Sequence, residues 1–151
     1  MGRSVTLKKS AKPSKPGYIL DEQIGFILRQ VWQRHAAIFA RDIGINLTSP
    51  QWAALAKLNE TGSCSQNQLG RLTAMDVATI KRVIDRLTAR GLTETSPDPA
   101  DGRRLLVSLT RAGAQMAEKA AANALAISRE TLAPLEARER ETLLALLNKL
   151  R

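Results

Sequence analysis

Two short helical patterns lie only three residues apart in the middle of the chain, and this spacing constrains the fold more than any other feature. Ser65 and Gln68 have the spacing of a capping box, which opens a helix with Leu69 and Leu72 facing inward. After a short turn, Asp76 is the next N-cap candidate. Two short helices joined so closely predict a helix-turn-helix motif.

The second of these helices has one apolar and one basic face and ends at Gly91. The positions expected to be buried recur at helical spacing and are Val77, Ile80, Val83, Ile84 and Leu87. Arg82 and Arg86 lie one turn apart toward solvent, where guanidinium groups can bind guanine edges or phosphates. Thr79 is short enough to contact a base or a phosphate, and Lys81 flanks the basic face.

A two-stranded hairpin with a basic tip is predicted directly after this helix. Residues 92–96 and 105–109 have the composition of half-buried strands. The second strand places on one side Leu105, Val107 and Leu109. Between the strands, residues 97–104 have turn chemistry and end in Arg103 and Arg104. A helix-turn-helix followed by such a wing places one helix in the major groove of DNA, with Arg103 as the candidate for the minor groove.

Two helices are predicted before the helix-turn-helix. The first covers residues 19–39 with one broad buried stripe, formed by Ile24, Ile27, Leu28, Val31, Ile38 and Phe39. His35 lies on that stripe. The second helix begins at Thr48, which forms a capping box with Gln51, and it stops at Gly62.

Two further helices are predicted after the hairpin. Thr110 caps a long Ala-rich helix that runs to about Thr131, and Pro134 breaks it. Residues 136–150 form a final helix with leucines at helical spacing. The predicted fold is therefore mainly α-helical with a small β-wing.

The charge of the chain predicts a polyanionic partner. Its 151 residues contain 23 Lys and Arg against 14 Asp and Glu, a formal net charge of +9. Such an excess favours nucleic acid or an anionic membrane surface. Part of it lies in residues 1–17, which are expected to form a basic disordered arm.

Several classes of protein are excluded or disfavoured by what the chain lacks. With one cysteine, Cys64, and one histidine, His35, it forms no internal disulfide and no zinc finger. It has no signal peptide and no apolar run of about 18 residues, so a cytoplasmic protein without a membrane span is expected. No phosphate-cradling or nucleophile-elbow motif is present, and His35 has no paired carboxylate nearby in sequence. No enzyme, cofactor or metal site is expected.

The motifs taken together resemble the MarR family of transcriptional regulators over residues 20–150. They are Leu47-Thr48-x-x-Gln51, Ser65-Gln66-x-x-Leu69, Asp76-x-x-Thr79-x-x-Arg82-x-x-Asp85-Arg86-Leu87, Gly91-Leu92, Asp101-x-Arg103 and Leu109-Thr110-x-x-Gly113. The resemblance implies a winged helix-turn-helix homodimer, with a small ligand bound between the dimer interface and the DNA-binding lobes. It implies a single domain over 18–151, with a DNA-binding lobe at 46–110 and dimerisation helices at 18–45 and 111–151.

The resemblance also assigns roles to individual residues. The DNA-binding positions it implies are Ser65, Gln66, Thr79, Lys81, Arg82, Arg86, Arg103 and Arg104. Asp101 is expected to steady Arg103, and Asp85 to reach the wing in the same way. Two positions depart from the family pattern. Lys81 replaces a small hydroxyl residue and Thr95 replaces a basic one, so base preference does not carry over.

The first helix is similar, over a shorter stretch, to a MarR subgroup that controls aromatic-acid catabolism. The effectors of that subgroup are aromatic acids or their coenzyme A thioesters. The candidate aromatic walls and polar handle are Trp32, His35, Phe39 and Trp52, and the candidate anion contacts are Arg29, Arg34 and Arg41. The alternative is that the aromatic residues are ordinary core and that His35 is a core histidine with its hydrogen bonds satisfied.

The leading hypothesis is a dimeric repressor whose recognition helices enter successive major grooves about 34 Å apart on a pseudo-palindromic operator. Two alternatives remain. One is a redox-sensing regulator that uses Cys64, which precedes a helix cap. The other is a sequence-tolerant architectural protein whose basic arm and wing bind phosphates without any effector.

Overall fold

The computed structural model describes residues 17–151, so the predicted basic arm lies outside the described residues except for Gly17. A single 3-10 turn, Leu20–Glu22, precedes the regular elements. These are α1 (Ile24–Asp42), α2 (Ser49–Thr61), β1 (Cys64–Ser65), α3 (Gln66–Leu72), α4 (Val77–Ala89), β2 (Thr93–Asp98), β3 (Asp101–Leu109), α5 (Arg111–Thr131) and α6 (Ala137–Asn148). Six helices with one small antiparallel sheet confirm the predicted fold class.

The predicted helix starts are confirmed by their caps. Each capping side chain accepts a hydrogen bond from the backbone N–H three residues ahead; these side chains are Thr48, Ser65, Asp76 and Thr110. Of these four caps, Thr48 forms the complete box, in which the Gln51 side chain also accepts from the Thr48 backbone N–H at 3.0 Å. Because these bonds satisfy N–H groups that lack intrahelical partners, they fix where α2 to α5 begin.

The sheet has the order β1-β3-β2 and differs from the prediction in two ways. The two-residue strand β1 was not predicted; it pairs Cys64 with Val107 and Ser65 with Leu106. The hairpin is also longer, since Pro97 pairs with Leu105 instead of lying in a turn. β2 tolerates this proline because it is an edge strand. Arg103 therefore lies within β3.

Two clusters of buried side chains hold the elements together. The larger one joins α2, α3, α4 and the sheet, and it contains Leu55, Leu69, Ile80, Leu87 and Val107 among others. The smaller one joins the second half of α1 to α5; its members are Ile38, Phe39, Ile43, Ala120 and Ile127. Gly113, at the start of α5, packs directly against the backbone just before β2. A Cβ atom at this position would approach the Leu92 carbonyl oxygen to 1.9 Å.

The predicted buried stripe of the first helix is wrong over its first half. Only Ile38 and Phe39 are buried, whereas the other four members are exposed: Ile24, Ile27, Leu28 and Val31. α5 packs against the second half of α1, where these two residues lie, and leaves the first half uncovered. Four more apolar positions predicted to lie inward are exposed or half-buried: Leu72, Val77, Leu105 and Leu109. The first three lie at element ends or on the wing, beyond the larger cluster.

α6 buries none of the residues that the structure describes for it. An exposed leucine row is formed by three of its residues and one residue just past its end: Leu144, Leu146, Leu147 and Leu150. No helix among residues 17–151 is both long enough and apolar enough to cross a membrane.

Candidate nucleic-acid interface and effector site

The outer face of α4 carries the side chains predicted to bind DNA. Ile80, Val83, Ile84 and Leu87 are buried, so Arg82 and Arg86 point to solvent, as the helical spacing predicts. The helix starts at Asp76, whose pKa is lowered mainly by the hydrogen bond from the Thr79 backbone N–H. Asp76 is therefore ionised at neutral pH and complements the positive end of the α4 dipole.

A cleft of about 220 Å³ lies between α4 and the start of α2. Its lining residues are Thr48, Pro50, Gln51, Thr79, Arg82, Val83 and Arg86. A neighbouring cleft of about 470 Å³ shares Thr48, Gln51 and Arg86 with it and adds Arg90, which donates to the Asn46 carbonyl. The guanidinium groups of Arg82 and Arg86 and the positive end of the α2 dipole thus border the first cleft, which favours the binding of anions there.

A second basic cleft, of about 580 Å³, lies between α3 and the wing. It brings together Ser65, Gln66, Arg103 and Arg104, four of the predicted DNA-binding residues. It also contains Asn67 and Arg71, which sequence reasoning missed. Their spacing of four residues on a predicted helix was the available signal.

The two predicted wing supports behave differently. The Asp101 carboxylate accepts a hydrogen bond at 3.1 Å from the backbone N–H of Arg103, so it steadies the strand and not the guanidinium. The expected contact from Asp85 to the wing is absent among the described hydrogen bonds and ion pairs. Asp85 instead accepts from Lys81 Nζ at 2.7 Å, since the two lie one helical turn apart.

The candidate effector residues of α1 meet the end of α5. The Arg34 guanidinium donates to the carbonyls of Glu130 and Thr131. His35 Nδ1 lies 2.9 Å from Thr131 Oγ1, so this half-buried histidine has a hydrogen-bond partner. Such a partner is what the interpretation as a structural histidine requires. The Trp32 ring lies 5.6 Å from the His35 ring and is largely exposed. Trp32, Arg34 and His35 thus form one cluster.

The remaining candidates do not join that cluster. Phe39 is buried in the smaller core, and Trp52 packs half-buried against that core. Arg29 is exposed on the first half of α1. Arg41 pairs with Asp42 and Glu130, each at 2.6 Å, and the hydrogen bond to Asp42 is the main reason that its pKa is raised. This guanidinium is therefore already neutralised.

Cys64 is buried in β1, and this burial raises the pKa of its thiol. A thiol that is hard to ionise is a poor nucleophile, so the structure favours an inert core residue over a redox sensor. Among residues 17–151 no group of three or more His, Cys, Asp or Glu side chains is placed to hold a metal ion.

A model of the MarR family matches residues 47–105. The HTH-type transcriptional repressor NicR of Pseudomonas putida is 40% identical over 146 residues, which are 96% of this chain and 92% of NicR. The chain belongs to the MarR family. It is therefore a DNA-binding transcriptional regulator with a winged helix, and its relatives are regulators and not enzymes, as predicted.

Solved MarR-type structures superpose closely on the chain. A probable transcriptional regulator from Pseudomonas aeruginosa is 60% identical with a TM-score of 0.84, covering 88% of this chain and 100% of that one. BpsR of Bordetella bronchiseptica, described as regulated in DNA binding by 6-hydroxynicotinic acid, is 40% identical with a TM-score of 0.85, covering 89% and 96%. MarR homologues bind operator DNA as dimers and respond to small molecules.

Proposed function

We propose that the protein is a homodimeric repressor that binds a pseudo-palindromic operator and is released from it by a small aromatic acid. The observation that carries the DNA-binding part is the pair of arginine-bordered clefts, one between α2 and α4 and the other between α3 and the wing. In this arrangement Thr79, Arg82 and Arg86 enter the major groove while Arg103 follows the wing into the adjacent minor groove. Ser65 and Gln66, at the start of α3, contact the backbone with Arg104.

The exposed apolar surface of the terminal helices supports the dimer. Ile24, Ile27 and Leu28 on α1, together with the leucine row of α6, are left uncovered by the chain's own elements. Large exposed apolar patches are typical of protein interfaces. A two-fold dimer places two copies of α4 about one DNA turn apart.

The effector is proposed to bind at the Trp32, Arg34 and His35 cluster, with Arg29 one turn earlier on α1. The exposed Trp32 ring offers a stacking face, and a single guanidinium satisfies one carboxylate. A coenzyme A thioester carries several phosphate charges, yet Arg34 and Arg41 already have partners. We therefore favour a free acid of the hydroxynicotinate kind, consistent with the description of BpsR, and target genes for aromatic-compound catabolism.

Fluorescence anisotropy on a duplex from upstream of the protein's own gene tests the DNA-binding part. Arg82→Ala and Arg103→Ala should each weaken binding by about 1–3 kcal/mol, or roughly 5- to 150-fold. Arg151→Ala is the matched control, since it removes the same charge from the end of the chain and should change affinity little. Unchanged affinity in both variants would contradict the proposal. Equal affinity for a scrambled duplex would favour architectural binding instead.

The effector part is tested by adding 6-hydroxynicotinic acid, benzoic acid and benzoyl coenzyme A to the bound complex. A free acid should weaken DNA binding about 5- to 150-fold, the usual range of allosteric coupling. Trp32→Phe should abolish the accompanying quenching of tryptophan fluorescence, whereas Trp52 remains as an internal reference. Release by the thioester alone, or by neither class of compound, would contradict the free-acid proposal.

A further inference from the structure

The outer face of α4 has two chemically different sides. On one side Thr79, Arg82 and Arg86 line the cleft toward α2. On the other side Val77, the first residue of the helix, is 66% exposed although it is apolar. Ala78 beside it is exposed as well. A basic side and an exposed apolar pair at the first turn, next to the Asp76 cap, therefore share one helix.

The Lys81–Asp85 ion pair directs the Lys81 charge away from that end of the helix, where the ionised Asp76 cap offsets the positive end of the helix dipole. Lys81 lies one turn after Val77, and its ammonium group is 2.7 Å from the Asp85 carboxylate. Beyond the Asp76 cap, the exposed surface at the start of α4 includes Val77, Ala78 and the hydrocarbon stem of Lys81.

The size and place of this apolar surface restrict what it contacts. One valine and one alanine are far too small for a protein interface, which buries about 1,000 Å² or more. Residues at the N-terminal end of a recognition helix contact base edges in the major groove. In that groove only thymine presents an apolar group, its 5-methyl.

We propose that Val77, with Ala78, contacts a thymine 5-methyl group in each half of the operator. Specificity is then divided along α4: a methyl contact at its start and guanidinium contacts about one and a half and two and a half turns later, at Arg82 and Arg86. The inference rests on the proposed binding of operator DNA by α4. It adds a specificity determinant and predicts a thymine at a fixed position in both half-sites.

The test begins with a duplex selected by the protein from a randomised library. Each thymine of the selected duplex is then replaced singly by uracil, which removes only the methyl group. For the natural protein, one position per half-site should weaken binding by about fourfold, the effect of one buried methyl, and by about 16-fold when both half-sites are changed. Val77→Ala should bind the thymine duplex more weakly and show no further loss with uracil at that position.

Leu72→Ala is the matched control, because Leu72 is another exposed apolar residue of the helix-turn-helix. It should keep the full uracil effect, and thermal unfolding of Val77→Ala should match that of the natural protein. A flat uracil scan, or a scan in Val77→Ala identical to that of the natural protein, overturns the inference while sequence-specific binding still supports the proposed function. If no sequence is enriched from the library, the proposed function itself fails.

Discussion

The region from α2 to β3 and the terminal helices α1, α5 and α6 differ in how far one chain completes them. The first region surrounds its own buried cluster, and its helices begin with side-chain caps. The terminal helices have a smaller cluster, and α6 buries none of its described residues. The region from α2 to β3 thus buries its core within one chain. The terminal helices leave apolar side chains exposed, which a second copy covers in the proposed dimer.

The largest expected effect comes from the junction of the two regions. Gly113→Ala places a Cβ within 1.9 Å of the Leu92 carbonyl oxygen, an overlap that backbone atoms cannot relieve locally. We expect the free energy of unfolding to fall by at least about 3 kcal/mol, measured by urea denaturation. Gly102→Ala is the control, because its Cβ meets nothing within 4 Å, and it should change stability by less than about 1 kcal/mol. Equal stability of both variants would show that the regions do not depend on this contact.

The second prediction tests whether a second copy of the chain covers the exposed face of the terminal helices. Leu146→Glu places a charge on the exposed leucine row of α6 and should raise the dimer dissociation constant at least about 30-fold, as for loss of an interface hot spot. Sedimentation equilibrium measures it. Leu105→Glu, which places a charge on an exposed leucine of the wing, is the control, and its measured mass should remain that of a dimer. A dimer that survives Leu146→Glu would place the interface elsewhere.

A smaller, pH-dependent effect is expected within the α2 to β3 region. The pKa of Asp76 is lowered in the folded chain by the Thr79 N–H, so its stabilising effect is complete above the unfolded value, about 3.9, and is lost as pH falls through the lower folded value. Asp76→Asn keeps a capping oxygen that does not titrate. The difference in unfolding free energy between the two proteins should therefore shrink between pH 5 and about 2. A constant difference would contradict this role.

The smallest effect concerns the turn between α3 and α4, where Ala74 has φ +54°. This left-handed conformation favours glycine, but glycine also gains freedom in the unfolded chain. Ala74→Gly should therefore change stability by less than about 1 kcal/mol, in the stabilising direction. Ala78→Gly, inside α4, should destabilise the protein by about 1 kcal/mol. A loss of stability in Ala74→Gly that equals the loss in Ala78→Gly would argue against strain in the turn.

The sequence predicted what is encoded within a few residues. Caps such as Thr48 and Thr110 bind the backbone three residues ahead, so their signals are local and proved correct. The strand β1 was missed because its partner Val107 is more than 40 residues away. The burial of α1 was overestimated for a similar reason: periodicity identifies an apolar face but not the element, or the second chain, that covers it.

The candidate site was predictable to the same degree. Helical spacing correctly placed Arg82 and Arg86 on an exposed face, because that face follows from which residues of α4 are buried. Arg71 was missed, since only the packing of α3 beside the wing brings it near Arg103. The Lys81–Asp85 pair follows from the i,i+4 spacing of the two residues, whereas the resemblance to the family predicted a contact from Asp85 to the wing.

β3 runs without interruption from Arg103, near the wing tip, to Leu109, directly before the Thr110 cap of α5. Seven residue steps of extended chain make a lever arm of roughly 23 Å. A rotation of the start of α5 by about 5° then displaces the wing tip by about 2 Å, which is enough to break a hydrogen bond at the minor groove. Under the proposed function, we expect a rotation of α5 that begins at its far end, where His35 meets Thr131, to be enlarged along this arm before it reaches Arg103.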